Sequence, residues 1–445
     1  MLKKLSVLAL ASFMLAACSH NGIYRSQLSE ECSYQKEGDC ADNALQIGNI
    51  DAVNEYRLGF IEYDDQGQLR QREQQDSVID SYLRLAGQQD VIVVTFVHGW
   101  HHSAKPEDSN IQEFRQMLAN VSASEAASSV KHERDRRPVL GVYIGWRGDS
   151  LAIPVVNHLT FWDRKATAHE VAYKGVTESL LRLEELVNVR NTFQDGVPPS
   201  TSRLVVIGHS FGGAVVFGSL QKILAERFVN SNGEKNFQST ADGFGDMVIL
   251  MNPAFEALRF SSLMELSQDK CRGYFPGQLP KLAVLTSESD YATKWAFPAG
   301  RIFSTMFDRH RTMNRYECPK PSMANSRAIE VPQGKANRTT IGHFEPYQTH
   351  RLAPVASASP TEFDLERAYF DWSASDNSKP DVYTTVDLVS KERTTKRNPY
   401  MNIAVDKDLM DGHNDIWGDE VLGFISELIT VSTTPVEVYE KLISE

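Results

Sequence analysis

The segment Leu204-Val205-Val206-Ile207-Gly208-His209-Ser210-Phe211-Gly212-Gly213-Ala214 constrains this chain more than any other. Four apolar residues, two of them Val and one Ile, read as a buried strand, and the apolar stretch Ala214 to Phe228 that follows reads as a helix. Between them lies Gly-x-Ser-x-Gly, with no room for a loop. A strand that passes directly into a helix must turn sharply at Ser210, and a side chain at 208 or 212 would collide with the neighbouring strand or helix. A hydroxyl held on such a turn is presented at the carboxyl edge of a sheet.

The rest of the chain supplies that sheet. Apolar runs rich in Val and Ile stand at 91–97, 139–144, 204–207, 247–251, 282–286 and 400–405, and Tyr56–Tyr63 has strand character. Continuous apolar runs suit parallel strands buried on both faces. Helical spacing alternates with them. Ile111, Phe114, Met117 and Leu118 share one face, opened by Ser109 and Gln112 as a capping box. Val171, Val176, Leu180, Leu183 and Val187 mark another helix, and Ile416–Ile429 and 435–443 close the chain. The class is therefore α/β, a mostly parallel central sheet flanked by helices. Two stretches break the rhythm, at about 254–280 and 292–398. They read as long insertions, the second large enough for a lid.

The turn at Ser210 resembles the nucleophile elbow of the α/β-hydrolase superfamily, and the resemblance spans roughly 90–430. It implies an order of parts: oxyanion loop, Ser, acid, His. Val91–Val97 followed by His98-Gly99-Trp100 is similar to the superfamily's oxyanion loop. By resemblance the donors are the N–H groups of Trp100 and Phe211, with His98 holding the loop. A rival reading takes His98, His101 and His102 as metal ligands, but no acidic partner stands at a recognised spacing, so no metal is expected; Ser-His-Asp acyl transfer needs no cofactor either. The acid is expected a few residues beyond the strand at 282–286, which selects Asp290, with Glu288 as the alternative. His413 follows the strand at 400–405 and precedes a helix, as the resemblance requires, whereas His343 and His350 lie in the long insertion. Arg147 reads as a partner of Asp149 pinning a loop, with an anionic head group as the alternative, and Asn252-Pro253-Ala254 reads as a turn.

The amino terminus bears on location. Lys3 and Lys4 precede an apolar run, Leu5 to Ala17, too short for a permanent span and built like a signal peptide. It ends in Leu15-Ala16-Ala17-Cys18, which resembles the bacterial lipobox. The expectation is a signal peptide at 1–17, a lipidated Cys18, a tether with a small stapled cap to residue 50, and the hydrolase domain over 51–445. Ser19 after the Cys is, by resemblance, the outer-membrane signal of a Gram-negative envelope lipoprotein. Of five cysteines, Cys32, Cys40, Cys271 and Cys318 remain for disulfides in an oxidising compartment, with Cys32–Cys40 and Cys271–Cys318 the favoured pairing of the three possible. A formal charge of −12 argues against nucleic acid as a partner.

Taken together, these residues point to acyl transfer through a serine. An ester or lipid is the first expectation for the substrate, with phospholipase, thioesterase or peptidase chemistry using the same residues. The readings outside catalysis are a scaffold that keeps the fold and an interaction module on residues 292–398.

Overall fold

A computed structural model describes residues 22–146, 167–191, 200–230, 238–268, 272–317, 327–355, 363–373, 382–391 and 394–434, apart from positions 169, 276 and 396. Eleven strands form one sheet: β1 (Gln27–Tyr34), β2 (Asn43–Gly48), β3 (Tyr56–Glu62), β4 (Ile92–Val97), β5 (Val139–Gly145), β6 (Arg203–His209), β7 (Met247–Met251), β8 (Leu282–Ser287), β9 (His350–Pro354), β10 (Val386–Ser390) and β11 (Tyr400–Val405). Their order is β1-β2-β3-β5-β4-β6-β7-β8-β11-β9-β10. From β3 to β9 every neighbouring pair is parallel, and among the described residues of this sheet the antiparallel pairs are β2–β3 and β9–β10. The expected α/β class, a mostly parallel sheet flanked by helices, is what the chain adopts.

Alternate residues of the central strands feed two cores. Val93, Leu204, Val206, Leu250 and Val284 face one way, packed with side chains of α1 (Arg72–Ala86), α3 (Thr177–Asn188), α4 (Phe211–Asn230) and α5 (Ala257–Gln268). Val94, Phe96, Val205, Ile249 and Leu285 face the other, against α2 (Ser109–Lys131) and α8 (Asp419–Thr433). In chain order α6 (Phe297–Ser304) and α7 (Leu365–Ser373) lie between α5 and α8. Both faces of β4, β5, β7, β8 and β11 are buried along their whole length, which is why these strands read as unbroken apolar runs. The chain leaves β4 through α2 toward β5 on one side and returns through α3 to β6 on the other. That reversal opens a crevice at the carboxyl ends of β4 and β6, where open α/β sheets hold ligands.

Several expectations are corrected. The cap foreseen within 18–50 is instead part of the sheet, because residues 27–48 supply β1 and β2. As an edge strand, β1 is mostly exposed and shows no apolar pattern. The second insertion, 292–398, contains β9 and β10, which complete the opposite edge. The first, 254–280, contains α5. Helix α2 is capped by Asp108, whose side chain accepts from the Asn110 N–H, and not by Ser109. Helix α1 was not anticipated, although Val78, Ile79, Tyr82 and Ala86 bury one face at helical spacing. Cys32 and Cys40 form the expected disulfide, stapling β1 to the turn before β2. Cys18, Cys271, Cys318, Arg147, Asp149, the signal segment expected at 1–17 and the helix expected at 435–443 lie outside the described residues.

Candidate active site

Ser210 stands between β6 and α4 with φ 55°, a left-handed backbone that an L-residue adopts only where its surroundings impose it. The surroundings are backbone. Its N–H donates to Met251 O at 2.9 Å, and its carbonyl accepts from Ala214 N at 3.2 Å and Ala254 N at 3.0 Å. A Cβ on Gly212 would lie 2.1 Å from Val97 O and 2.4 Å from His98 O, and one on Gly208 would lie 2.8 Å from Gly212 O. Backbone carbonyls cannot move aside, so both glycines are required. The turn also puts Ser210 at the amino terminus of a 20-residue helix, whose dipole favours negative charge there.

Three chain segments bring partners to that hydroxyl. His413, on the loop after β11, places Nε2 2.7 Å from Ser210 Oγ. Its Nδ1 lies 2.8 Å from Asp290 Oδ2, just beyond β8. Asp290 is fully buried. Burial alone would raise its pKa, but hydrogen bonds and charge from His413, with further bonds from Thr293, hold it below the usual carboxylate value. A buried carboxylate on Nδ1 fixes the tautomer that leaves Nε2 free to accept a proton. Glu288 does not take this place: it lies at the surface on Arg351, at 3.1 Å.

The loop after β4 closes the site from the other side. A Cβ on Gly99 would fall 2.9 Å from Ser210 Cβ, so only glycine lets this backbone lie against the serine. The Trp100 ring stacks on His101 with centroids 4.2 Å apart and meets Phe211 edge-on at 6.4 Å. The two residues expected to supply oxyanion donors, Trp100 and Phe211, are therefore neighbours flanking Ser210. His98 is buried, and its pKa is lowered to about 4, chiefly by burial. Trp146 N donates to its Nε2 at 3.0 Å, which puts the proton on Nδ1 facing Gly99 O at 2.8 Å. His102 turns to Asp108 at 2.9 Å. Among the described residues no group of three or more His, Cys, Asp or Glu is placed to hold a metal.

Four further residues support the three, and local sequence reasoning did not foresee them. Asn252, with φ 44° at the end of β7, donates to His413 O at 2.8 Å and to Gly412 O at 3.2 Å, and accepts from Ser287 N at 2.9 Å. It is not merely a turn residue: it ties the loop carrying His413 to the strand leading to Asp290. His209 Nε2 donates to the same His413 carbonyl at 3.0 Å, and burial, aided by His413, lowers its pKa to about 3, so it stays neutral. Thr293 donates its N–H to Asp290 Oδ1 at 3.1 Å and its hydroxyl to Asp290 Oδ2. Because that hydroxyl proton is committed, His343 Nε2, 3.0 Å away, must be the donor to Thr293 Oγ1. His343 thus approaches the site from the long insertion as a support for the acid. His350 lies apart, buried beside Thr349. The only sequence signal for these residues was position, since Asn252 ends a strand at the same edge.

Comparison of the chain with protein-family models, with characterised proteins and with solved structures finds no match, so the functional reading rests on this geometry.

Proposed function

We propose that the chain is a serine hydrolase of the α/β-hydrolase type, a carboxylic ester hydrolase held at the bacterial cell envelope by lipid on Cys18. One observation carries the reading: Ser210 Oγ, the two nitrogens of His413 and the buried Asp290 carboxylate form one hydrogen-bonded line at the switch point of the sheet. The chemistry follows from the geometry. His413 Nε2 takes the hydroxyl proton as Ser210 Oγ bonds to the ester carbonyl carbon, and the carbonyl π pair moves to oxygen. That oxyanion faces the amino terminus of α4 and the Gly99–Trp100 backbone. As the tetrahedral centre collapses, the C–O bond to the alcohol breaks and His413 returns the proton to it. Water, activated by the same Nε2, then releases the acid and restores Ser210. Asp290 stabilises the imidazolium without taking the proton.

The test is hydrolysis of p-nitrophenyl esters from acetyl to palmitoyl by the purified protein. The expected result is turnover, with stoichiometric labelling of Ser210 by an alkyl phosphonate. Folded protein that neither turns over any ester nor takes the label would remove the proposal and favour the scaffold reading.

Thr293→Val probes the support of the acid. The variant keeps the backbone N–H on Asp290 and loses the hydroxyl that links Asp290 to His343. A hydrogen bond to a charged group contributes about 1.5–3 kcal/mol, so kcat on a short ester should fall about 10- to 100-fold with KM little changed. An unchanged kcat would mean that His413 alone suffices to hold the carboxylate.

A further inference from the structure

The segment directly after Asp290 has two opposed faces. Thr293, Phe297 and Thr305 are buried and anchor it to the body. The outer face is apolar where it should be polar: Tyr291 is 71% exposed, Trp295 60%, Ile302 49%, Met306 62% and Phe307 90%. Ala299 is exposed as well; Tyr291 and Trp295 stand on the π-helical turn Ala292–Ala296 and its entry, Ala299 and Ile302 on α6, and Met306 and Phe307 on the turn after it, so exposed apolar residues follow one another along the whole segment. Single exposed apolar residues are ordinary, but a run of them that includes Tyr291, Trp295 and Phe307 marks an interaction surface.

Its surroundings indicate the partner. The chain as a whole is acidic, at −12, yet the segment carries exposed Lys294, Arg309 and Arg311 against Asp308, with the Glu288 carboxylate engaged by Arg351 at 3.1 Å and Arg301 turned inward to Glu256 at 3.1 Å. Trp and Tyr on one face with cations beside them are the composition of a helix lying in the interface of an anionic bilayer. The chain also enters the body at the same edge of the sheet, at β3, five strands from β8, which leads into the stripe. Tyr24 N donates to Glu62, the last residue of β3, at 3.0 Å, and Arg25 Nε donates to Ala104 O at 3.0 Å. Both contacts lie at the carboxyl edge of the sheet, the edge of Ser210 and Asp290. Cys18 stands four residues before Gly22, a reach of at most about 14 Å.

We propose that the Tyr291–Phe307 stripe seats on an anionic lipid bilayer and turns the mouth of the Ser210–His413 site toward it, making membrane acyl lipid the substrate class. The assignment of substrate rests on the ester-hydrolase reading, and the seating does not. The experiment uses the full chain with phosphatidylglycerol vesicles whose acyl chains are brominated, and reads quenching of tryptophan fluorescence. Quenching is expected in the unmodified protein and is weaker on brominated phosphatidylcholine. It should fall at least about twofold both in Trp295→Phe, which removes the reporter and keeps the apolar bulk, and in Ile302→Glu with Phe307→Glu, which keeps the reporter and opposes insertion. No quenching in the unmodified protein, or quenching unchanged in both variants, overturns the proposal. So does a chemically cross-linked dimer that disappears in the charged variant while quenching persists, since the stripe would then join two copies. Phosphonate labelling of Ser210, scored on the same samples, reports separately on the hydrolase reading.

Discussion

Ser210→Ala should lower kcat on p-nitrophenyl acetate by at least about 10⁴-fold, the scale set by removing the nucleophile of a group that works as a unit. The substitution deletes one oxygen atom and leaves the turn intact. The φ of 55° is imposed by backbone contacts to Met251, Ala214 and Ala254, none of which uses the side chain. Thermal unfolding of the variant should therefore match that of the parent. Together the two measurements separate chemistry from folding: lost activity in a stable protein assigns the reaction to Oγ. Activity retained within tenfold would mean that another group attacks, and the line from Ser210 to Asp290 would become a structural feature only.

Asp290→Asn carries the second large effect, about 10⁴-fold in kcat, because it reverses a tautomer and leaves the fold in place. The asparagine oxygen, at the Oδ1 position, can still accept from the Thr293 N–H, which directs the amide NH₂ to the Oδ2 position facing His413 Nδ1. That nitrogen must then accept, so the ring proton moves to Nε2 and His413 can no longer take the proton of Ser210. Stability should respond to pH in a defined direction. The Asp290 pKa lies below its usual value, since the bonds and charge from His413 and the bonds from Thr293 outweigh the burial that would raise it. A carboxylate depressed in the folded state contributes stability above its unfolded pKa, about 3.9, and that contribution is lost as pH falls through the folded pKa. Urea midpoints measured from pH 7 down to pH 3 should show a constant advantage of the parent over Asp290→Asn at neutral pH. The advantage should shrink only below about pH 4. An advantage that shrinks already between pH 7 and 5 would mean that the carboxylate is not held in its ionised form.

The core of the fold was legible because burial leaves a mark on composition. Strands covered on both faces, such as Met247–Met251 and Tyr400–Val405, show unbroken apolar runs. Edge elements carry no such mark. In β1 most side chains are exposed, so Gln27–Tyr34 reads as polar linker, although its backbone pairs in parallel with β2. The β9–β10 pair hid inside what reads as a long insertion because each strand is only five residues long and mixes buried with exposed side chains. Their place in the sheet comes from backbone hydrogen bonding to strands already formed, which no local pattern records.

The site divides along the same line. The residues at Ser210, Asp290 and His413 could be named from sequence because each follows a recognisable strand, and a parallel sheet brings the carboxyl ends of its strands to one edge. Gly208, Gly99 and Gly212 were legible because the close approach of backbones tolerates nothing larger. Only the tertiary structure decided that Asp290 and not Glu288 reaches His413, since two acids two residues apart differ in which one the β8 turn buries. It alone also recruited Asn252 and His209 to hold the His413 carbonyl, across 161 and 204 residues of sequence, and His343 to brace the acid through Thr293. A hydrogen bond is a matter of position to within about 0.5 Å, and position at that scale is set by the packing of the whole chain rather than by any segment of it.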